Sequence, residues 1–298
     1  MYRIGELHGE AGAVVRTDGK HLWVEGRPWR ARGVTYGSFR ARLDNELFPD
    51  TLQVKKDFAS ISDLGLNTVR TYSLPPDDVL DLAEEYGLKL LVGLHYDDWR
   101  LATHAGRRTN RDVLNRGRAA VDEALVRCSG RDCILAIAVG NEVPGDLVRV
   151  HGIVAVEDVL SELVSEVHRG DPAMLATYAN FPTTEYLQVE GQDLACYNVF
   201  LENPEAFRSY VRRLQIVSGD VPLLLTELGF ASEIHGDEAQ ARALEWQLKI
   251  ADESGAAGAC VYAWTDEWAV AGEPVEGWGF GITDAEREPK PAVEITSR

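Results

Sequence analysis

Ala136-Ile137-Ala138-Val139-Gly140-Asn141-Glu142 is an aliphatic run that stops abruptly on a glutamate, and Leu223-Leu224-Leu225-Thr226-Glu227-Leu228-Gly229 repeats the arrangement further along. Short continuous apolar runs bounded by turn residues read as strands buried on both faces, the signature of a parallel sheet. In parallel α/β folds, a polar residue at the C-terminal end of such a strand stands where binding sites are built. Two carboxylates placed this way on separate strands mark Glu142 and Glu227 as the residues around which the rest of the chain should be read.

Outward from these two runs, strand and helix alternate. A short strand-like segment from His21 to Val24 passes through Gly26 and Pro28 into Arg32-Gly33-Val34-Thr35-Tyr36. A helical pattern with Leu52, Phe58, Ile61 and Leu64 stops at Gly65, and Asn67-Thr68-Val69-Arg70-Thr71-Tyr72 follows as a strand. Pro75 and Pro76 open the next helix and Gly87 closes it. Lys89 to His95 is the third strand, and a helix from about Asp112 to Cys128 precedes the strand that ends at Glu142. Val156, Val159, Leu160, Leu163, Val164 and Val167 recur at helical spacing, a clear amphipathic stripe. Strands follow at Met174 to Tyr178 and Leu194 to Val199, then a helix near Pro204 to Val217 and the strand ending at Glu227. A helix with Ala241, Leu244, Leu248 and Ile250 leads to the last strand, Gly258 to Trp264.

Counted from Val34, eight strands alternate with helices. That regularity predicts a single (β/α)8 barrel of the TIM type, an α/β fold, over residues 1–298, with residues 1–28 as an N-terminal extension and strand. No GxGxxG turn follows the first strand, which removes the main reason to expect an open dinucleotide-binding sheet. The eighth helix is barely present, with only Pro289 to Arg298 left to form it.

Composition narrows the partners. Hydrophobic residues make up 45% of the 298 positions and charged residues 26%, ordinary for a globular protein. The net charge of −18, from 48 acidic and 30 basic residues, argues against nucleic acid and anionic membranes and favours a neutral ligand. The basic residues Arg100, Arg107, Arg108, Arg111, Arg116 and Arg118 cluster in a loop and the helix after it, where pairing with surrounding acids is the expected role and a rim for an anionic substrate group the sharper alternative. Cys128 and Cys133 flank a turn, whereas Cys196 and Cys260 sit inside apolar strands; buried free thiols are expected, with a Cys128–Cys133 disulfide as the oxidised alternative. No membrane span is expected. The opening Met1-Tyr2-Arg3-Ile4-Gly5-Glu6 lacks the apolar core of a signal peptide, so a cytoplasmic location is expected, whether for a whole protein or a piece of a larger one. The seven histidines show neither HxH nor HExxH spacing, and no GxSxG elbow or cofactor motif occurs, so no metal and no cofactor is expected.

With the strands assigned, the chain looks like a retaining glycoside hydrolase of clan A, whose acid/base glutamate follows an asparagine at the end of strand four and whose nucleophile ends strand seven. Ala138-Val139-Gly140-Asn141-Glu142-Val143 resembles the acid/base segment of family 17 β-1,3-glucanases, and Gly33-Val34-Thr35-Tyr36-Gly37 and Asn67 to Tyr72 resemble that family's first two strands. Family 2 catalytic domains are similar in Arg70 and in the closing Arg287-Glu288-Pro289-Lys290-Pro291-Ala292. At the nucleophile the chain departs from the family 17 pattern, with Leu228-Gly229-Phe230-Ala231 following Glu227.

The resemblance implies Glu142 as acid/base and Glu227 as nucleophile, facing each other at roughly 5–5.5 Å. Arg70 would keep Glu227 ionised, Tyr197 would donate to the same carboxylate, and Asn141 would bond the sugar 2-hydroxyl. Trp264 would offer an apolar face to the sugar ring, extended by Trp268 and Trp278. His95 and Tyr36 are expected as polar groups of the pocket, and Asp97, Asp98 and Trp99 at its rim. The substrate implied is a β-glucan or β-glucoside, β-1,3-linked by analogy, cleaved through a glycosyl-enzyme. Two alternatives share the residues: a transglycosylase of the same mechanism, and a non-catalytic glycan-binding domain attached to a glycan synthase. The segments Pro144 to Val154 and Thr265 to Gly281 are expected to shape substrate choice.

Overall fold

The computed structural model describes residues 14–96, 99, 110–270 and 272–297. Three short antiparallel strands, β1 (Val15–Asp18), β2 (His21–Val24) and β3 (Arg27–Trp29), come first. Eight parallel strands then close a barrel: β4 (Ala31–Tyr36), β5 (Thr68–Thr71), β6 (Lys89–Gly93), β7 (Ile134–Asn141), β8 (Ala176–Asn180), β9 (Leu194–Asn198), β10 (Leu223–Leu228) and β11 (Gly258–Val261). Each pairs with the next, and β11 returns to β4. The (β/α)8 expectation holds.

The helices form where the apolar period and the end signals agree. Asp50 caps α1 (Thr51–Asp63) by accepting from the Gln53 amide at 2.9 Å. The left-handed Gly87, at φ 66°, follows α2 (Asp77–Glu85), a conformation that only glycine adopts without strain. Next come α3 (Asn110–Cys128), α4 (Gly145–His151) and α5 (Ile153–Gly170), whose six stripe residues are all buried. Asn203 caps α6 (Pro204–Val217) through the Glu205 and Ala206 amides. The set closes with α7 (Ser232–His235), α8 (Asp237–Glu253) and the five-residue α9 (Ala292–Thr296). Among the described residues no helix is long and apolar enough to cross a membrane.

Each strand feeds two apolar layers. Val34, Val69, Leu90, Val92, Ile137, Leu223, Leu225 and Val261 face the helices, while Ala31, Leu91, Leu135, Leu194, Cys196 and Leu224 fill the barrel interior. Leu22 and Val24 of β2 join that interior cluster, so the N-terminal sheet closes the barrel at the end where its strands begin. The opposite end, where the strands finish, is left for the site. A cavity of about 580 Å³ opens along the β11–β4 seam beside α9, lined by Ala31, Gly33, Ala259, Val261, Leu248 and Ile295.

Surface charge follows the plainer expectation where it is described. Arg118 donates to Glu162 at 2.8 Å and to Glu166 at 2.7 Å, while Arg100, Arg107 and Arg108 lie outside the described residues. All four cysteines are buried and free.

Candidate active site

The two glutamate-bearing strands are irregular where the glutamates sit. The pairing of β7 with β8 shifts between Ala138 and Asn141, and that of β10 with β9 shifts between Leu225 and Glu227. A bulge bends a strand and re-aims the side chains beyond it. Glu142 itself has φ 45°, a left-handed backbone that costs a non-glycine residue of order 1–3 kcal/mol and that clusters at functional sites.

These turns bring the carboxylates onto one nitrogen. Asn198, the last residue of β9, donates from Nδ2 to Oε1 of Glu142 at 2.8 Å and to Oε1 of Glu227 at 3.0 Å. Two oxygens that share one donor can be no further apart than those bonds laid end to end, an upper limit just above the roughly 5–5.5 Å separation of a retaining pair.

Arg70 organises the floor of the site. Its Nη1 donates to Glu227 Oε1 at 2.7 Å, to Asn198 Oδ1 at 2.8 Å and to the Thr226 carbonyl at 3.0 Å, and its Nη2 to Asn141 Oδ1 at 2.6 Å. Tyr72 adds a hydroxyl donor to Glu227 Oε1 at 2.9 Å. The three side-chain donors on Glu227 all address Oε1, which leaves Oε2 as the oxygen for other work. The ion pair is almost fully enclosed, with side-chain exposures of 2% for Arg70 and 7% for Glu227.

Enclosure sets the electrostatics. Removal from water pushes the Glu227 carboxyl up to about 7, because burial disfavours the charged form. The Arg70 cation pulls against this, the Glu142 charge adds to it, and the hydrogen bonds from Tyr72 and Arg70 oppose it. Arg70 acts in the direction the sequence suggested, favouring the ionised form of Glu227 and limiting the rise that burial imposes. Tyr72 is pushed well above the ordinary phenol range, first by burial and then by the Glu227 charge, so it remains a donor throughout the physiological range.

An aromatic wall stands beside Glu227. Trp268 and Trp278 stack at 5.2 Å and 17°. Tyr262 packs edge-on against Trp268 at 5.0 Å and against Trp278 at 5.8 Å. Tyr72 meets Trp268 at 5.4 Å, so the wall reaches a residue bonded to Glu227. The loop that carries both tryptophans includes the ribbon β12 (Ala269–Val270) and β13 (Glu273–Pro274). It is held by Arg287 bonding Glu267 at 2.5 Å and by Lys290 bonding Asp266.

Several expected pocket residues lie elsewhere, and strand alternation explains most of them. Tyr197 pairs with Leu225 and belongs to the layer under the helices; its neighbour Asn198 faces inward instead, and Tyr72 supplies the donor that Tyr197 was expected to give. Tyr36 also faces outward, bonding the buried Asp57 at 2.7 Å among Phe39, Phe48 and Phe58. One step along a strand swaps barrel interior for helix layer. Trp264 sits in that same outer core, three residues beyond the end of β11, and Tyr262 takes the position beside the tryptophans. His95 is exposed and lines a separate groove with Asn45, Ser73, Leu94 and Arg127. Trp99 is buried against His151, while Asp97 and Asp98 lie outside the described residues.

The architecture has solved counterparts. A family 2 β-galacturonidase from Eisenbergiella tayi, bound to galacturonate, superposes with a TM-score of 0.77 at 20% identity, over 95% of this chain and 53% of that one. A β-glucuronidase from Ruminococcus gnavus matches with a TM-score of 0.78 at 18% identity, over 95% and 52%. The β-glucuronidase from Bifidobacterium dentium, complexed with coumarin-3-O-glucuronide, gives 0.78 at 19%, over 95% and 48%. These likenesses establish the barrel fold. The chain spans about half the length of each of these structures. The first of them carries the name of family 2, one of the two families whose segments this sequence resembles. No family model and no curated protein matches the sequence.

Three features of the site were missed in the sequence. Asn198 ends β9 and Tyr72 follows β5, and a count of two along the strand from the inward Arg70 selects Tyr72. Tyr262 lies two residues after Cys260, which flanks Arg70, so the same period of two places it inward.

Proposed function

We propose that this barrel is the catalytic domain of a retaining β-glycosidase, with Glu142 as acid/base and Glu227 as nucleophile. The observation that carries the proposal is the single Asn198 amide within bonding reach of both carboxylates. Glu142 gives its proton to the glycosidic oxygen as Oε2 of Glu227 attacks the anomeric carbon. The C–O bond to the leaving group breaks, and a glycosyl ester forms on Glu227. Glu142, now a carboxylate, takes a proton from water, whose oxygen attacks the same carbon and expels Glu227. Two inversions return the starting configuration.

The remaining residues serve these steps. Asn141 accepts at Oδ1 from Arg70 at 2.6 Å and from Asn198 at 3.1 Å. With its oxygen so engaged, it presents its amide hydrogens to the sugar 2-oxygen. The Trp268–Trp278–Tyr262 wall offers apolar surface to a sugar or to the leaving group. The net charge of −18 favours a neutral glycone, so a β-glucoside or β-glucan is the proposed substrate, with uronides of the kind named in the structural counterparts as the competing class.

A panel of aryl β-glycosides that includes glucoside, galactoside and glucuronide tests both levels. We expect turnover with the β-anomer formed first in proton NMR spectra, and a higher kcat/KM for the glucoside than for the glucuronide. A first-formed α-anomer would reject the retaining mechanism; preference for the glucuronide would reject the glycone alone.

The raised Glu227 carboxyl also dictates a pH dependence. The nucleophile must be bare, so kcat/KM should climb as pH rises toward about 7. A flat profile between pH 5 and pH 7, roughly the span of the climb, would contradict this.

A further inference from the structure

We propose that Asn198 is a positioning residue that couples the two glutamates, its one amide group donating to both carboxylates so that neither changes charge independently of the other. The inference rests on the reading of Glu142 and Glu227 as a working pair, and it adds a residue to which neither the sequence nor the structural counterparts gave a role.

The network fixes the orientation of this amide. Asn198 Oδ1 accepts from Arg70 Nη1 at 2.8 Å and from the Thr226 hydroxyl at 2.7 Å. The guanidinium can only donate, so the oxygen must face it and the NH2 must face the carboxylates. The side chain is wholly buried and held between β5, β7 and β10, with little freedom to turn away.

The nitrogen is oversubscribed. Its two hydrogens meet three acceptors: Glu142 Oε1 at 2.8 Å, Glu227 Oε1 at 3.0 Å and Asn141 Oδ1 at 3.1 Å. An N–H donor aimed at a carboxylate favours its charged form. Asn198 therefore supports the bare state of both glutamates at once. When Glu142 takes up the proton it will deliver, its claim on the amide weakens and the hydrogen is freed for Glu227. The charge state that the first step needs, one glutamate protonated and one bare, is thus favoured through a single shared donor.

Other groups face the pair from the strands around it. Arg70 and Tyr72 bond Glu227 from the β5 side, Tyr262 lies near both carboxylates, and Tyr178 lies near Glu142. The buried thiols Cys196 and Cys260 flank Arg70. Of these, Arg70 and Tyr72 touch Glu227 but neither bonds Glu142; among the described residues, Asn198 is the side chain that bonds both.

The test is a carbon-13 NMR titration of the full chain labelled at glutamate Cδ, with the two signals assigned through Glu142→Gln and Glu227→Gln. Asn198→Ala removes the donor. Asn198→Asp keeps the shape and the acceptor for Arg70 and Thr226 but replaces the donor with an oxygen. In Asn198→Ala we expect both midpoints to rise by about one pH unit, the size expected for a lost hydrogen bond to a charged group, and in Asn198→Asp to rise further. Should the alanine variant fail to fold, the aspartate variant decides alone. Midpoints that stay in place, or a rise confined to one glutamate, would overturn the coupling. The titration needs no substrate, so the two ideas separate: shifted midpoints in a protein inert toward every glycoside would sink the proposed function alone. Unmoved midpoints in an active one would sink the coupling alone.

Discussion

Glu227→Gln is expected to lower turnover of an activated aryl β-glycoside by at least ~10³-fold, within the range that loss of an essential side chain produces. The amide is nearly isosteric, so the three donors that meet Oε1, from Arg70, Tyr72 and Asn198, keep an acceptor. What disappears is the negative charge and nucleophilicity of Oε2. An amide oxygen is a poor nucleophile toward an anomeric carbon, and the glycosyl ester does not form. Substrate affinity should change far less, because the aromatic wall and Asn141 are untouched. A good leaving group makes the measurement selective: it relieves the demand on Glu142 and leaves the attack by Glu227 as the step that is lost. Turnover within tenfold of the parent protein would remove Glu227 from the mechanism.

Arg70→Met should be the most damaging change to stability. The guanidinium satisfies four acceptors on three strands, among them the buried Glu227 carboxylate. Taking away one member of a buried ion pair leaves the other uncompensated, a loss of about 3–5 kcal/mol. Methionine fills much of the volume, so the loss reports on charge and hydrogen bonding rather than on a cavity. The unfolding midpoint in urea reads this directly. Glu227, already pushed upward by burial, should move further when the cation is gone, so any remaining activity should appear only at higher pH. Arg70→Lys offers the finer comparison: a compact ammonium restores the charge but lacks the fork that reaches Asn141 and Asn198 together, and should recover only part of the loss. A destabilisation below about 1 kcal/mol would show that the buried pair contributes little, as exposed pairs do.

The sequence was most informative where one physical rule acted alone. Buried parallel strands must be continuously apolar, so β7 and β10 were visible as runs, and the helices between strands showed their stripes and their glycine stops. Eight such units leave little choice but a closed barrel. Arg70, Asn141, Glu142 and Glu227 were legible because a polar residue in or after an apolar strand has few reasons to be there. The side-chain directions at the rim were not. Tyr36 and Tyr197 sit one position from the inward-facing Thr35 and Asn198, and a period of two turns a one-residue error into the opposite face of the barrel. Bulges beside Glu142 and Glu227 break that period where the site is assembled, and no local composition announces them. Trp264 lies three residues beyond the end of β11 and packs in the outer core, although its backbone amide still bonds the Thr35 carbonyl of β4 at 2.9 Å, so an alternation carried past the strand end gives the wrong face. The role of Asn198 depends on contacts with residues 56 and 57 positions earlier and 28 and 29 positions later, so it emerges only once the barrel is closed.

One experiment bears on the centre of this picture. The 2-deoxy-2-fluoro analogue of whichever aryl β-glycoside is turned over, with a dinitrophenyl leaving group, destabilises both transition states while keeping the first step feasible, so a glycosyl ester accumulates. Intact-protein mass spectrometry should show a single added fluorosugar, and peptide mapping should place it on Glu227. A label on another residue, or steady hydrolysis of the parent glycoside with inversion and no covalent species, would contradict the assignment of Glu142 and Glu227 as a retaining pair.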